Sequence, residues 1–479
     1  MGIIQGLKDS FSSWQRKRAI KILTTTDPEK IMAFGERRLI PAFQRAAKKV
    51  PGYSRLLKER GIDPRKVRDV ESFKKLVPII DKKDIFLNNE IEDLCVGGNL
   101  KEMKTAMSSS GFSGIFSFGI NTERNLKDAE KSIDTALEYT FNISNKKTLL
   151  INCVPMGVKI PTSLKVAETS VRSDMALAIF KKFAHKFDQT LFVSDPHFLK
   201  KLVEDGIEQG INWKSETVHL IIGEDWFSES FRSYLAYLIG ADFDNPDKGF
   251  VGATMGIAEL DLNLFHESIH TIRIRRTAQE DKRLRYALFG EGIEVCPILF
   301  HYYPHRTYLE AISQDGGQPE LIFSMLSPYM LIPLIRYNSK DVGMVFTYNQ
   351  VKEILTGYGY GHLCPELKLP MVAVGGRRGR CLTVGNTSVY PEEVKQGLYS
   401  DFEVAGAATG YFRLSRKNDN ILLEVQLKKG IAVNLKLQEA LTKAIASQIK
   451  GDVILELRPY NQFQFGMEVD YERKFRHID

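Results

Sequence analysis

Apolar positions fall into distinct textures along this chain of 479 residues. From about residue 148, short continuous apolar runs recur: Thr148-Leu149-Leu150-Ile151, Thr190-Leu191-Phe192-Val193 and Val218-His219-Leu220-Ile221-Ile222, with amphipathic stretches between them. An unbroken apolar run is the pattern of a strand buried on both faces, so these segments predict parallel strands joined by crossover helices. Upstream, residues 27 to 90 carry helical spacing interrupted at Pro51-Gly52 and Gly61-Ile62-Asp63-Pro64 and ending near Pro78, which predicts a helical lead-in. Between about 255 and 350, alternation such as Thr271-Ile272-Arg273-Ile274-Arg275 and β-rich runs such as Leu321-Ile322-Phe323 predict antiparallel sheet.

After Leu369-Pro370 the chain passes through Gly375-Gly376-Arg377-Arg378-Gly379-Arg380, a stretch with no apolar residue to bury. A second set of patterns follows: a helix opening at Pro391, strands near 402 to 412 and 421 to 427, a helix over 434 to 449 and a strand at Val453-Ile454-Leu455. The fold expected is therefore α/β. A large multi-sheet N-terminal domain over 1–375, with parallel and antiparallel strands, precedes a small α+β C-terminal domain over 376–479.

Hydrophobic residues make up 43% of the chain and charged residues 26%, values that exclude a disordered or fibrous protein. A net charge of +7 is small for this length and argues against nucleic acid as a partner. The five cysteines, Cys95, Cys153, Cys296, Cys364 and Cys381, are odd in number and contain no C-x-x-C pair, so neither a disulfide framework nor a zinc ribbon is indicated. No run approaches the roughly 20 apolar residues of a membrane span, and a cytoplasmic protein is expected. Ile3, Leu7, Phe11 and Trp14 share one helical face beside Lys8, Arg16, Lys17, Arg18 and Lys21. Membrane-surface contact by residues 3–21 is one reading of that stripe; packing against the rest of the chain is the one expected.

Several motifs compete for the chemistry. His266-Glu267-Ser268-Ile269-His270 is a literal H-E-x-x-H, which binds zinc when a helix stacks the two imidazoles one turn apart. The flanking alternation is that of a strand, where residues four apart stand about 13 Å apart and cannot share an ion. Gly111-Phe112-Ser113-Gly114 falls one position short of a G-x-S-x-G elbow, since Ile115 follows, and Gly357, Gly359 and Gly361 lack a strand–helix context and read as a turn. Met107-Ser108-Ser109-Ser110-Gly111-Phe112-Ser113-Gly114 interleaves hydroxyls with glycines, which suits either a solvated linker or a loop that brings N–H and O–H donors to a polyanion.

The order of landmarks decides between them. This loop is followed by Gly223-Glu224, Met255-Gly256-Ile257-Ala258-Glu259, Arg336-Tyr337-Asn338-Ser339-Lys340-Asp341, Gly376-Arg377, Gly385-Asn386, Pro391-Glu392-Glu393-Val394 and finally Lys474. Over nearly the whole chain this series resembles the adenylate-forming (acyl- and aryl-CoA synthetase) superfamily, and in particular its phenylacetate–CoA ligase-like branch. The lead-in is similar too, through Val50-Pro51-Gly52-Tyr53 and Pro78-Ile79-Ile80-Asp81-Lys82.

The resemblance implies an acid–thiol ligase. A carboxylate attacks the α-phosphate of ATP to give an acyl-adenylate and pyrophosphate, and a thiol, usually that of coenzyme A, then displaces AMP. It implies that Ser109, Ser110, Gly111, Ser113 and Gly114 form the phosphate loop, with Gly223, Glu224 and Gly256 also at the nucleotide. Glu259 would hold Mg2+, Asp341 the ribose hydroxyls and Arg377 the nucleotide from the hinge side, while Lys474 would bridge substrate carboxylate and α-phosphate. The expected substrate is an aromatic or fatty carboxylate, with Phe180, Phe183, Phe187, Trp226, Phe227 and Phe231 as candidate walls, though core packing is the reading expected for most of them, and the branch often forms homodimers. Transfer to an amine or a carrier-protein thiol, or a nucleotide-binding scaffold without ligation, are the alternatives. They stay open because the chain departs from the family pattern: Phe112 replaces a hydroxyl, no Lys or Arg closes the loop after Ile115, and Met255 and Ala258 replace an aromatic residue and a Thr.

Overall fold

The computed structural model describes residues 2–109, 114–155, 158–313, 317–377, 381–385, 387–449, 451, 453–463, 471, 475, 477 and 478, the side chains of 2–9 and of Arg377 excepted. Helices Gly2–Thr25, Pro28–Glu36, Leu39–Lys49, Pro51–Glu59 and Val70–Leu76 form the expected lead-in. The first is held by Arg16, whose guanidinium donates to Ser144 Oγ at 2.9 Å and pairs with Glu138 Oε2 at 3.4 Å. Its aromatic stripe is not what packs: Phe11 and Trp14 stack on each other and are 58% and 53% exposed.

Strands β1 (Thr105–Ser108) and β2 (Phe118–Asn121) pair as an antiparallel hairpin. The next eleven strands are β3 (Thr148–Asn152), β4 (Lys165–Glu168), β5 (Gln189–Ser194), β6 (Val218–Ile222), β7 (Phe250–Ile257), β8 (Asp261–His266), β9 (Ile298–Tyr302), β10 (Thr307–Ile312), β11 (Glu320–Met325), β12 (Tyr337–Phe346) and β13 (Met371–Arg377). They form one sheet in the order β10-β11-β12-β13-β9-β8-β7-β6-β5-β3-β4. From β4 to β7 every neighbour is parallel, and from β7 to β10 every neighbour is antiparallel. The three apolar runs read from the sequence are β3, β5 and β6, buried along nearly their whole length.

Two segments differ from expectation for the same reason. Thr271–Arg275 is helical, within Ile269–Glu280, because Ser268 and Thr271 form a reciprocal capping box that starts a helix there. Its buried residues, Thr271, Ile272, Ile274, Arg275 and Ala278, mark a helical face that five alternating positions cannot distinguish from a strand. Residues Phe402–Ala407 are also helical, opened by Asp401, whose carboxylate accepts from the N–H groups of Glu403 and Val404.

Beyond β13 come the short ribbon β14 (Leu382–Val384) and β15 (Thr387–Val389), the helix Pro391–Leu398, and a sheet of β16 (Ala408–Lys417), β17 (Asn420–Leu427) and β18 (Val453–Arg458), with helix Leu435–Ala446 against it. This segment packs on helices Pro196–Glu208 and Glu229–Ile239. Buried Lys200 donates to Ala408 O at 2.8 Å and to both oxygens of Glu204, and Phe231 meets Tyr399 edge-on at 4.7 Å. No described helix is long and apolar enough to cross a membrane.

Candidate functional site

A cavity of about 590 Å³ lies where the parallel and antiparallel halves of the sheet meet. It takes in Ser194 and Gly223 from the carboxyl ends of β5 and β6, and Ala253 and Thr254 from β7. The carboxyl ends of parallel strands, where strand direction reverses, are where α/β sheets leave a crevice.

One end of the cavity is polar. Glu259, in the turn after β7, is 3% exposed, and its Oε1 accepts from the Tyr337 hydroxyl at 2.8 Å and lies 3.8 Å from Lys82 Nζ. The other oxygen, Oε2, is buried without a hydrogen-bond partner among the described residues. A buried carboxylate oxygen left unmatched is costly, and a hard cation such as Mg2+ is a fitting partner for it. Lys82 also donates to Ser109 Oγ at 3.2 Å, and the same Oγ accepts from Ser117 N at 3.1 Å.

Backbone pairing brings these groups together. Ile80 forms a parallel bridge with Tyr337: Ile80 N donates to Arg336 O at 3.0 Å, and Asn338 N donates to Ile80 O at 2.8 Å. Buried Arg336 clamps the lead-in beside it, donating to Lys74 O and Val77 O and pairing with Glu310. Two residues past that bridge stands Lys82. Ser109 follows β1 directly and extends the hairpin, its N donating to Ser117 O at 2.9 Å. Gly119 is required by close approach, because a Cβ there would lie 1.8 Å from Ala258 O, in the turn that carries Glu259.

Of the residues picked out by sequence, Ser109, Gly223, Glu224, Gly256 and Glu259 line the cavity. Gly256 admits the β7–β8 turn, since a Cβ there would meet Leu262 O at 2.4 Å. Glu224 holds a positive φ of 68° beside Gly223. Asp341 is buried just past the wall residues Asn338, Ser339 and Lys340, and it sits opposite Arg377 in the β12–β13 ladder. Gly114 is exposed in the hairpin loop with φ of 81°. Ser110, Gly111, Ser113 and Lys474 lie outside the described residues, as does the Arg377 side chain.

The six aromatic residues offered as candidate walls, most of them expected to be core, are not cavity walls. None of Phe180, Phe183, Phe187, Trp226, Phe227 and Phe231 lines the cavity. Phe180 packs on Trp213 in the core, Phe183 is exposed, and Trp226 and Phe227 lie against the Arg275 guanidinium. The apolar end is instead built by Ile133, Leu137 and Phe141 of helix Glu123–Phe141, facing Leu150, Val193 and Phe250 of the parallel strands. Sequence reasoning passed over that helix because its apolar face reads as ordinary core.

Lys82 was also missed as a site residue, because it lies 27 positions before Ser109 and only the Ile80–Tyr337 bridge reveals its place.

The H-E-x-x-H motif is taken apart by the fold. His266 ends β8, whereas His270 sits in the helix from Ile269, with its Nδ1 3.3 Å from the Tyr139 hydroxyl. Glu267 is fully engaged: Arg232 donates to both its oxygens at 2.8 and 2.9 Å, and Ala253 N donates to Oε2 at 2.7 Å. Arg232 and Arg275 both pair with Glu229 as well, so a closed ionic network lies under the cavity floor. Burial holds the His266 imidazole down to about 4.

The polar end thus offers an unmatched carboxylate oxygen, an ammonium and hydroxyl donors at the mouth of an apolar slot. The chain shares its fold with adenylate-forming CoA ligases. A crystal structure of 2-hydroxyisobutyryl-CoA ligase in the postadenylation state with 2-HIB-AMP matches at a TM-score of 0.68 and 14% identity, covering 95% of this chain and 90% of that one. The same ligase in the thioesterification state, with 2-HIB-AMP and CoA, matches at 0.54 and 15% identity over 95% and 90% of the two chains. No protein-family model and no curated protein matches the sequence.

Proposed function

We propose that this protein is an acid–thiol ligase that activates an apolar carboxylic acid as its acyl-adenylate and passes the acyl group to a thiol, that of coenzyme A. The observation that carries this reading is the buried Glu259, with one oxygen on Tyr337 and near Lys82 and the other unmatched, at the junction of the polar and apolar ends of one cavity. In the first step an oxygen of the substrate carboxylate attacks the α-phosphorus of ATP and pyrophosphate leaves. In the second the thiol adds to the acyl carbon, its proton is lost and AMP departs. Attack of one anion on another is helped chiefly by positioning and neutralisation of charge.

Glu259 would hold Mg2+, which supplies positive charge to the phosphates when bound. Lys82 and the hydroxyl of Ser109 would contact the same phosphates. The lysine thereby provides the cation missing from the end of the serine-rich loop, which favours a competent enzyme over a scaffold. Asp341 would accept from the ribose hydroxyls, Arg377 would hold the nucleotide from the hinge, and Lys474 would reach the reacting carboxylate from a mobile C-terminal domain beginning near residue 376. The slot formed by Ile133, Leu137, Phe141, Leu150, Val193 and Phe250 favours an aliphatic or aromatic acid.

ATP–pyrophosphate exchange across a panel of aliphatic and aromatic acids tests the first half-reaction, and product analysis with and without coenzyme A tests the second. No exchange with any acid would overturn the proposal. Exchange without a coenzyme A thioester would move the acceptor to an amine or a carrier-protein thiol.

A further inference from the structure

Outside the residues that line the cavity, three side chains from separate parts of the chain converge. His197 lies in the first turn of helix Pro196–Glu208, Asp225 in the loop after β6, and His477 in the C-terminal tail. One donor atom from each lies within 4.8 Å of the others, and no other group of three such residues is found among the described residues. The imidazoles are held from behind. His197 stacks on Tyr411 at 4.5 Å, and His477 stacks on Phe412 at 4.1 Å with its Nδ1 3.0 Å from Phe412 O. The tail itself is fixed by Leu414 N donating to His477 O at 2.8 Å.

What these rings lack is a partner on the inner side. His197 is 9% exposed, and neither of its ring nitrogens has a hydrogen-bond partner among the described residues, nor has His477 Nε2. Leaving buried ring nitrogens unmatched is costly. A first-row transition ion is smaller than a water molecule and binds imidazole nitrogen and carboxylate oxygen at about 2.0–2.2 Å. Three donors no more than 4.8 Å apart can close on such an ion by small side-chain rotations.

The charges around the site are mixed. Lys395 Nζ donates to Asp225 Oδ2 at 2.8 Å and to Trp226 O at 3.0 Å, which orients the carboxylate. Asp195, two residues before His197, caps the helix through Oδ1 and leaves Oδ2 buried without a described partner, adding a second negative group.

We propose that His197, Asp225 and His477 form a binding site for a divalent first-row transition-metal ion of the zinc type. Two imidazoles and one carboxylate suit such an ion rather than Mg2+ or Ca2+, which prefer all-oxygen sites. Because the three ligands come from a helix, a loop adjoining the cavity residues Gly223 and Glu224, and the tail, the ion staples the tail to the body of the protein. His477 stands three residues after Lys474 in sequence, so the staple tethers the chain adjoining that lysine.

The test uses the full-length protein, stripped with a chelator, dialysed and titrated with Co2+ as a spectroscopic stand-in. The expected result is one equivalent bound, with ligand-field absorption, and affinity lowered at least tenfold in His477→Gln and in His197→Gln. Zn2+ should raise the melting temperature of the wild type more than that of His477→Gln. Since His197 lies in a buried helix turn, the tail variant carries the conclusion if His197→Gln fails to fold. A His266→Gln/His270→Gln double variant should bind as the wild type does. Failure to retain Co2+, or retention unchanged in His477→Gln, overturns the assignment.

Discussion

The Tyr337 hydroxyl donates to Glu259 Oε1 at 2.8 Å, joining the first residue of β12 to the turn after β7 across the antiparallel half of the sheet. The bond fixes which carboxylate oxygen remains for a cation. Glu259→Gln should therefore lower ATP–pyrophosphate exchange by about 10²-fold or more, the scale of losing a preorganised electrostatic group, and should shift its Mg2+ dependence. Tyr337→Phe should cost less, roughly tenfold, because the carboxylate survives and only its orientation loosens. Exchange rates followed through a Mg2+ titration distinguish the two, and an unchanged titration in Glu259→Gln would remove Glu259 from the metal.

Lys82 stands between Glu259 and Ser109. Lys82→Ala should raise the apparent KM for ATP and lower exchange by about 10²-fold, with Lys82→Arg recovering part of the loss. Steady-state kinetics at varied ATP measures this. Wild-type kinetics in the alanine variant would mean that the lysine only packs.

Lys474→Ala should abolish pyrophosphate exchange while leaving thiolysis of a supplied acyl-adenylate largely intact. Measuring the two half-reactions separately is the check. Equal loss of both would assign Lys474 a different role.

The ionic network under the cavity gives a stability prediction. Arg232 is fully buried between Glu229 and Glu267, so Arg232→Met removes the ion-pair partner of buried Glu267. Glu229 keeps Arg275 at 2.8 Å, so the acid left without an ion-pair partner is Glu267, and the protein should lose about 3 kcal/mol, read from denaturant unfolding. A loss under 1 kcal/mol would show that Glu267 finds another partner.

Acid should unfold the protein partly through His266. Its folded-state value is depressed to about 4 from an ordinary 6.5 by burial, so below pH 6.5 the unfolded chain binds a proton that the native state does not. Stability is therefore present above 6.5 and lost as pH falls from 6.5 toward 4, by roughly 3 kcal/mol at most for this group. In His266→Phe the slope of unfolding free energy against pH over that window should flatten. An equal slope would place the proton uptake on other buried histidines.

How much of this was legible beforehand follows from what each signal measures. Runs such as Leu149-Leu150-Ile151 announce strands buried on both faces, and β3, β5 and β6 lie where those runs are. The order of motifs likewise brought Ser109, Gly223, Glu224, Gly256 and Glu259 to one cavity. The misses are contacts without a local signature. Lys82 reaches the site through a single bridge between Ile80 and Tyr337, and Ile133 and Leu137 line a slot while obeying the same helical periodicity as core residues. Thr271–Arg275 shows the opposite failure, a local alternation overruled by a helix cap three residues away.

Gly119 ties two of these parts into one mechanical piece. With no side chain to separate them, β2 rests directly on the Ala258 carbonyl, so the hairpin cannot tilt without dislodging the neighbouring acid. An engineer could exchange the hairpin tip for another sequence and keep the rest of the machine, provided that position 119 stays a glycine.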